Sequence, residues 1–216
     1  MRNRLIELYK QCFPEDSEKV VSHMFNSYLG EDNALVEMDG DTLVSSVYLV
    51  DKKLYYKQNT IRLPYIVALG TAISHRYKGY SELLILKCLD KLLKEKIPFV
   101  ALYPFKHSFY QKYDFFIPSF DYTLTGNKVK CSVIRAKEIY EKFCQGLDYY
   151  IVRSDADFDF IDTMSKLEDS GFYELVKDNT KVGYTNGEES IPTSYIKGES
   201  EGVMVRIADA VAALKL

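Results

Sequence analysis

Apolar residues at helical spacing open the chain. Over residues 3–12, Leu5, Ile6, Leu8 and Tyr9 fall on one face, as an amphipathic helix requires. Pro14 ends that run. In "FPEDSEKVVSHMFNSYL" a second stripe follows, made of Val20, Val21, Met24, Phe25 and Tyr28, with Asp16 or Ser17 able to cap it. The period then shortens. "ALVEMDGDTLVSSVYLV" predicts two strands about Asp39-Gly40-Asp41, a hairpin signal. "KKLYYKQNTIRLPYIVALGTAISH" adds a short strand and a long apolar one. From about Tyr80 to Lys96 the helical period returns. Lys87, Asp90, Lys91, Lys94 and Glu95 there form one solvated stripe on an otherwise apolar cylinder.

After Pro98, "FVALYP" reads as a buried strand, "KHSFYQKY" as a short helix and "FFIPSFDYTL" as a closing strand. The order α-α-β-β-β-β-α-β-α-β predicts an α/β fold, a mixed, mainly antiparallel sheet flanked by helices. Polar "TGNKVK" (125–130) marks a boundary and predicts two domains, 1–125 and 126–216. The second reads as a smaller α/β region: a helix over 135–145, a strand in "LDYYIVRS" and a helix over 157–168. Strands "FYELVKD" and "KVGYT" follow about a turn at Asn179, then a polar loop, "NGEESIPTSYIKGESEG", and the segment "VMVRIADAVAALKL".

Composition removes several classes. Net charge is −3 with a pI near 5.7, so no global basic field would recruit nucleic acid. Cys12, Cys88, Cys131 and Cys144 form no C-x-x-C and have no His at ligand spacing, which argues against a metal site and a disulfide framework. The charged start, "MRNRLIELYKQCFPEDSE", lacks a signal-peptide apolar block. The longest apolar run, from Tyr65 to Ile73, is about half the ~20 residues a membrane helix needs. A cytoplasmic protein with no membrane or nucleic-acid partner is expected.

The chemistry concentrates in "ISHRYKGYSELLILKCL", residues 73–89. An apolar strand runs into Arg76-Tyr77-Lys78-Gly79-Tyr80-Ser81, and a helix begins at once. A helix N-terminus carries unpaired N–H groups and partial positive charge, and so receives anions. Gly79 lets backbone approach a ligand. Arg76 and Lys78 add charge, and Ser81 a hydroxyl. The same pattern also describes a glycine turn with solvated cations; it is neither a Walker A sequence nor a dinucleotide fingerprint.

R-x-x-G-x-[G/A] after a long strand resembles the acyl-CoA loop of the GNAT superfamily of N-acetyltransferases, here as Arg76, Gly79 and Ser81. Thirty residues on, "FYQKYDF" is similar to that family's f-Y-x-k-x-G-F signature, with Tyr110 at the tyrosine position. "CFPEDSE", "YIVALGTAISHRYKGY", "LYPF" and "FYQKYDF" together resemble the bacterial enhanced-intracellular-survival type over roughly residues 5–124. Beyond these, "DYYIVRS…GFYELVKDN…VGYT" resembles that type's second, degenerate GNAT-like domain. "VMVRIADAVAALKL" resembles the lead-in to its sterol-carrier-like third domain, which this chain is expected to lack.

The resemblance implies transfer of acetyl from acetyl-CoA, as co-substrate, to a primary amine. The loop from Arg76 through Tyr77, Lys78, Gly79, Tyr80 and Ser81 to Glu82 would hold the pyrophosphate. Backbone of Leu69, Gly70 and Thr71 would line the pantetheine, Phe105 and Lys106 would lie along the cofactor, and Tyr110 would be the general acid. Ser81 departs from the commoner Gly or Ala, and Asp114 from the Gly of the signature, a place where Asp tolerates turn conformations. The base is left open among His75, Glu37 and water. Glu15, Asp16 and Glu18 would either attract a cationic acceptor, small molecule or peptide, or complement the second helix's dipole. A non-catalytic acyl-CoA-binding or interaction module is the alternative, and a homo-oligomer is left open.

Overall fold

A computed structural model describes residues 1–118, 120–122, 124–193, 200–201, 203–209 and 213. Contact density divides the chain into two compact units: residues 1–52, 62–116 and 205–216 in the first, 53–61 and 117–204 in the second.

The first unit begins with helices α1 (Arg2–Cys12) and α2 (Glu18–Ser27). Ser17 caps α2 by accepting from Val20 N–H at 3.3 Å. Strands β1 (Ala34–Asp39) and β2 (Thr42–Tyr56) form the expected hairpin, with Gly40 at φ +57 in its turn. Strand β3 (Asn59–Thr71), a 3-10 turn over Ile73–His75, helix α3 (Tyr80–Lys94), strand β4 (Phe99–Leu102) and short helix α4 (His107–Gln111) follow. The sheet order is β1-β2-β3-β4, with β12 (Met204–Ile207) beside β4.

Side chains alternate across this sheet, and both faces are covered. On one face Leu5, Leu8 and Tyr9 of α1 and Val21 and Phe25 of α2 pack with Tyr48 and Val50 of β2. On the other, Leu84, Ile85, Cys88 and Leu92 turn the buried stripe of α3 inward, and Lys87 of α3 pairs with Glu37 of β1 at 2.5 Å. Coverage from both sides is why residues 43–50 of β2 are all buried.

The sequence predicted a short separate strand in "KKLYY"; it is instead the far end of β2. Lys53–Tyr56 belongs to the second unit and pairs antiparallel with β7 (Tyr149–Val152), where Tyr55 stacks on Tyr150 at 4.8 Å. Lys57 and Gln58 then reverse the chain, both at positive φ.

The second unit carries β6 (Asn127–Lys130), α5 (Val133–Cys144), α6 (Asp155–Leu167), β8 (Tyr173–Lys177), β9 (Thr180–Thr185) and β10 (Ser190–Pro192). Its sheet order is β10-β9-β8-β6. Asp178 and Asn179, at φ +50 and +58, make the expected turn. Ala136, Ile139, Phe143, Phe158, Phe172 and Tyr184 form its core. Of the expected closing strand "FFIPSFDYTL", Phe120–Asp121 forms β5, paired with β11 (Ser200–Glu201). Ser119 and Thr123 lie outside the described residues, as do 194–199 of the polar loop. Among the described residues no helix is long and apolar enough to cross a membrane.

Candidate active site

The residues singled out around β3 and α3 all fall within the first unit. The parallel pairing of β3 with β4 covers only Tyr65↔Ala101 and Ile66↔Leu102. Strand β3 continues five residues further, from Val67 to Thr71, while β4 ends at its last paired residue. Within that extension Ala68 sits at φ +50, a left-handed conformation uncommon for a residue with a side chain. This stretch therefore departs from regular strand geometry where the expected pantetheine-lining residues Leu69, Gly70 and Thr71 lie. Gly70 is crowded: a Cβ there would meet Cys12 Sγ at 2.8 Å and Cys12 Cβ at 2.9 Å.

Past the 3-10 turn, Tyr77 (φ +64) and Gly79 (φ +85) are both left-handed. Gly79 is the N-cap of α3, with no side-chain capping bond and open space, clear to 4 Å, where a Cβ would stand. The first intrahelical bond runs from Leu83 N–H to Gly79 C=O at 3.0 Å. The N–H groups of Tyr80, Ser81 and Glu82 precede it and have no acceptor within the helix. A side-chain cap would have claimed one of them; glycine leaves them facing outward.

A chain of hydroxyls joins this helix mouth to the sheet. Ser81 Oγ lies 2.8 Å from Thr71 Oγ1, Thr71 Oγ1 lies 2.8 Å from Ser45 Oγ, and Ser45 donates to Gly70 C=O at 2.7 Å. Ser45 is fully buried and Thr71 nearly so. Arg76 folds back over the strand, its Nε donating to Thr71 C=O at 3.3 Å. Burial pushes the Cys12 thiol pKa up, and the neighbouring Arg76 guanidinium opposes that. Tyr77 and Lys78 stand in solvent.

Helix α4 lies beside the first turn of α3, where Lys112 and Glu82 approach to 3.6 Å. Tyr110 is buried, and its ring meets Phe109, Phe105 and Phe115 edge-on at 4.9, 5.7 and 5.9 Å. Burial, with a smaller contribution from Tyr113, raises its pKa well above the usual phenol value. Phe105 is 73% exposed, and Lys106 is the exposed N-cap of α4. Asp114 adopts φ +63 and donates its N–H to Gln111 C=O at 3.0 Å, the turn geometry that makes Asp an acceptable substitute for Gly.

The open choices of base find partners elsewhere. His75 approaches Asp39 at 3.2 Å through Nε2 and Ser74 at 2.9 Å through Nδ1. Glu37 is held by Lys87. In the acidic loop, Tyr9 donates to Asp16 at 2.6 Å and Lys10 pairs with Glu18 at 2.7 Å, leaving Glu15 exposed.

Thus Thr71, Arg76 and Ser81 are joined by hydrogen bonds, Glu82 approaches Lys112 just past α4, and Tyr110 packs on Phe105, whereas Tyr77, Lys78 and Lys106 project to solvent. Ser45 and Cys12 are not among the residues expected at this site. Ser45 reads as one polar position in a strand, and Cys12 as the apolar end of a helix. Neither carries a local signal of its tertiary contact.

Strand β3 outruns its parallel neighbour β4, and a glycine-capped helix mouth follows it. The chain belongs to the GNAT acetyltransferase family: the family model of the acetyltransferase (GNAT) domain matches residues 2–117. No curated protein matches it in sequence. Among solved structures it is similar to a conserved protein of unknown function from Enterococcus faecalis V583, described as a probable N-acyltransferase, at 12% identity and TM-score 0.70. That alignment covers 98% of this chain and 71% of the other. A GCN5-related N-acetyltransferase from Anabaena variabilis aligns at 15% identity and TM-score 0.68, covering 99% and 72%. Eis1 from Mycobacterium abscessus aligns at 11% identity and TM-score 0.58, covering 84% of this chain and half of Eis1.

Proposed function

We propose that the protein is an N-acetyltransferase that moves the acetyl group of acetyl-CoA to a primary amine. The observation that carries this reading is the mouth of α3. A left-handed glycine there leaves the N–H groups of Tyr80, Ser81 and Glu82 outside the helix ladder, without a capping side chain. That arrangement suits a pyrophosphate, and Lys78 stands free to add charge. Acetyl-CoA would bring the activated acyl group. Leu69 to Thr71 would line its pantetheine arm, with Phe105 and Lys106 beyond.

Tyr110 supplies the proton. Attack of a neutral amine on the thioester carbon forms the C–N bond and breaks the C–S bond. The departing sulfur takes the phenolic proton, and a proton from the amine nitrogen restores the phenol. Because burial raises the Tyr110 pKa, its O–H stays in place throughout the neutral range. Backbone N–H in the irregular stretch after Ile66 would bond the thioester oxygen as negative charge gathers on it.

We assign the chemistry to the expected domain 1–125 and read 126–216, apart from Val205–Ile207 whose strand joins the sheet of the first unit, as a partial second GNAT-like domain, since no residue of the proposed site comes from the latter. Within the family we place the chain with the enhanced-intracellular-survival type, a placement supported by the motifs above and the likeness to Eis1. We expect it to act in the cytoplasm. A second reading, a non-catalytic acyl-CoA-binding module, is favoured by one observation: His75 and Glu37 are both engaged elsewhere. Thiol release from acetyl-CoA, followed across a panel of polyamines, aminoglycosides and lysine peptides, separates the two. Amine-dependent release supports the enzyme; CoA binding with no release for any amine supports the module.

A further inference from the structure

The hydroxyl chain Ser81–Thr71–Ser45 has a direction fixed by counting protons. A carbonyl only accepts, so the Ser45 O–H points to Gly70 C=O. Each hydroxyl has a single hydrogen. Thr71 must then donate to Ser45, and Ser81 to Thr71. The proton of Ser81 is therefore directed into the sheet, away from the helix mouth. Ser81 is a strut between α3 and β3, and its hydroxyl is already spent when a phosphate arrives.

This strut spans the place where the two halves of a CoA molecule would be held. At one end is the first turn of α3, proposed above to hold the pyrophosphate. At the other is Gly70, in the stretch proposed to line the pantetheine. Between them the chain runs through ten residues that include the 3-10 turn over Ile73–His75 and two left-handed positions, Tyr77 and Gly79, while the hydroxyl relay bridges the two ends directly. Gly70 is gripped from both sides, by the Cys12 side chain against its Cα and by Ser45 on its carbonyl. Arg76 adds a second tie, to Thr71 C=O.

We infer that Ser45, Thr71 and Ser81 are positioning residues that set the spacing between the pyrophosphate anchor and the thioester-binding strand. The inference rests on the CoA site proposed above. Ser45 is its sharpest probe, because its side chain is fully buried and reaches a ligand only through Gly70 and the relay. A ligand that occupies both halves feels the spacing; one that occupies only the helix mouth does not.

The experiment compares affinities for CoA and for 3′-phospho-ADP, its nucleotide half, by calorimetry on the full chain. Ser45→Ala is expected to leave the 3′-phospho-ADP affinity within twofold and to weaken CoA about five-fold, the worth of one neutral hydrogen bond. Ser81→Ala is expected to weaken CoA by a similar factor, and Ser81→Thr, which keeps the hydroxyl, to restore CoA affinity. If Ser45→Ala does not fold, Thr71→Val removes the middle hydroxyl while keeping the side-chain shape. A variant that lowers the melting temperature but leaves the ratio of the two affinities unchanged overturns the inference, as does equal weakening of both ligands. If the unaltered protein binds neither ligand, the CoA site itself is wrong, and that result is distinct from the other two.

Discussion

In the proposed mechanism Tyr110 and Gly79 do opposite kinds of work, and single substitutions separate them. Tyr110 is held by edge-on contacts to three phenylalanines, so Tyr110→Phe keeps the packing and deletes only the phenolic proton donor. We expect acetyl-CoA to bind within twofold of the unaltered protein and amine-dependent thiol release to fall about 10²-fold or more, the usual contribution of a positioned acid. Turnover at the original rate would remove Tyr110 from the mechanism. Gly79 and Asp114 were legible in the sequence, because left-handed backbone restricts residue type and both occupy it. Ser45 was not. Its role is a contact with residues 25 and 26 positions away, and no local pattern encodes that.

Elements were legible where one period ruled them. Helices α1, α2, α3, α5 and α6 lie close to their predicted spans, because each buries one stripe. Strand ends were harder to read. The strand-forming Leu54, Tyr55 and Tyr56 of "KKLYY" suggest a strand but not whether it continues the one before it; the continuity of β2 follows from its pairing with β7, a partner far along the chain. The early end of β4 was likewise hidden: "FVALYP" reads as one strand, yet it stops at Leu102 while β3 runs on to Thr71. The packing of α1 on β3 yields a test. Gly70→Ala drives a methyl into Cys12 and should cost about 1–3 kcal/mol, as overpacking does. Adding Cys12→Ala should recover part of that loss in a denaturation experiment, because the Sγ contact disappears while the Cβ contact stays. Additive losses in the double variant would show that the two residues do not press on each other.

At the scale of the whole chain, the sequence conveyed the layered α/β plan but not that Val205–Ile207 joins the first unit, with Val205 N–H bonded to Phe116 C=O at 2.9 Å. A strand so short, so far along the chain, has no signal naming its partner. The second unit holds an ionic centre that was equally silent. Arg153 forks onto Glu189 at 2.5 and 2.7 Å, its guanidinium 4.4 Å from the Tyr140 ring centroid, and Tyr184 donates to Glu189 at 3.0 Å. Burial alone would raise the Glu189 pKa, but Arg153 and Tyr184 outweigh it and the net direction is down. A carboxylate whose folded pKa lies below its unfolded value, about 4.3, contributes stability above that pH and loses it as pH falls. The melting temperature should therefore drop from about pH 5 downward. In Glu189→Gln the acid slope should be shallower and stability at pH 7 lower, on the order of 3 kcal/mol, because Arg153 loses its counter-charge. An unchanged acid slope would contradict the assignment.

A CoA site at the mouth of α3 is tested most directly by melting temperature against acetyl-CoA concentration, with Gly79→Glu beside the unaltered protein. A ligand that binds only the folded state must raise the melting temperature as its concentration grows. We expect a saturable rise in the unaltered protein. Gly79→Glu has space for its Cβ but places a carboxylate where the pyrophosphate would sit, on backbone at φ +85. It should fold, at a cost of about 1 kcal/mol, and show no rise. No rise in the unaltered protein at millimolar acetyl-CoA, or the same rise in both proteins, would contradict the site.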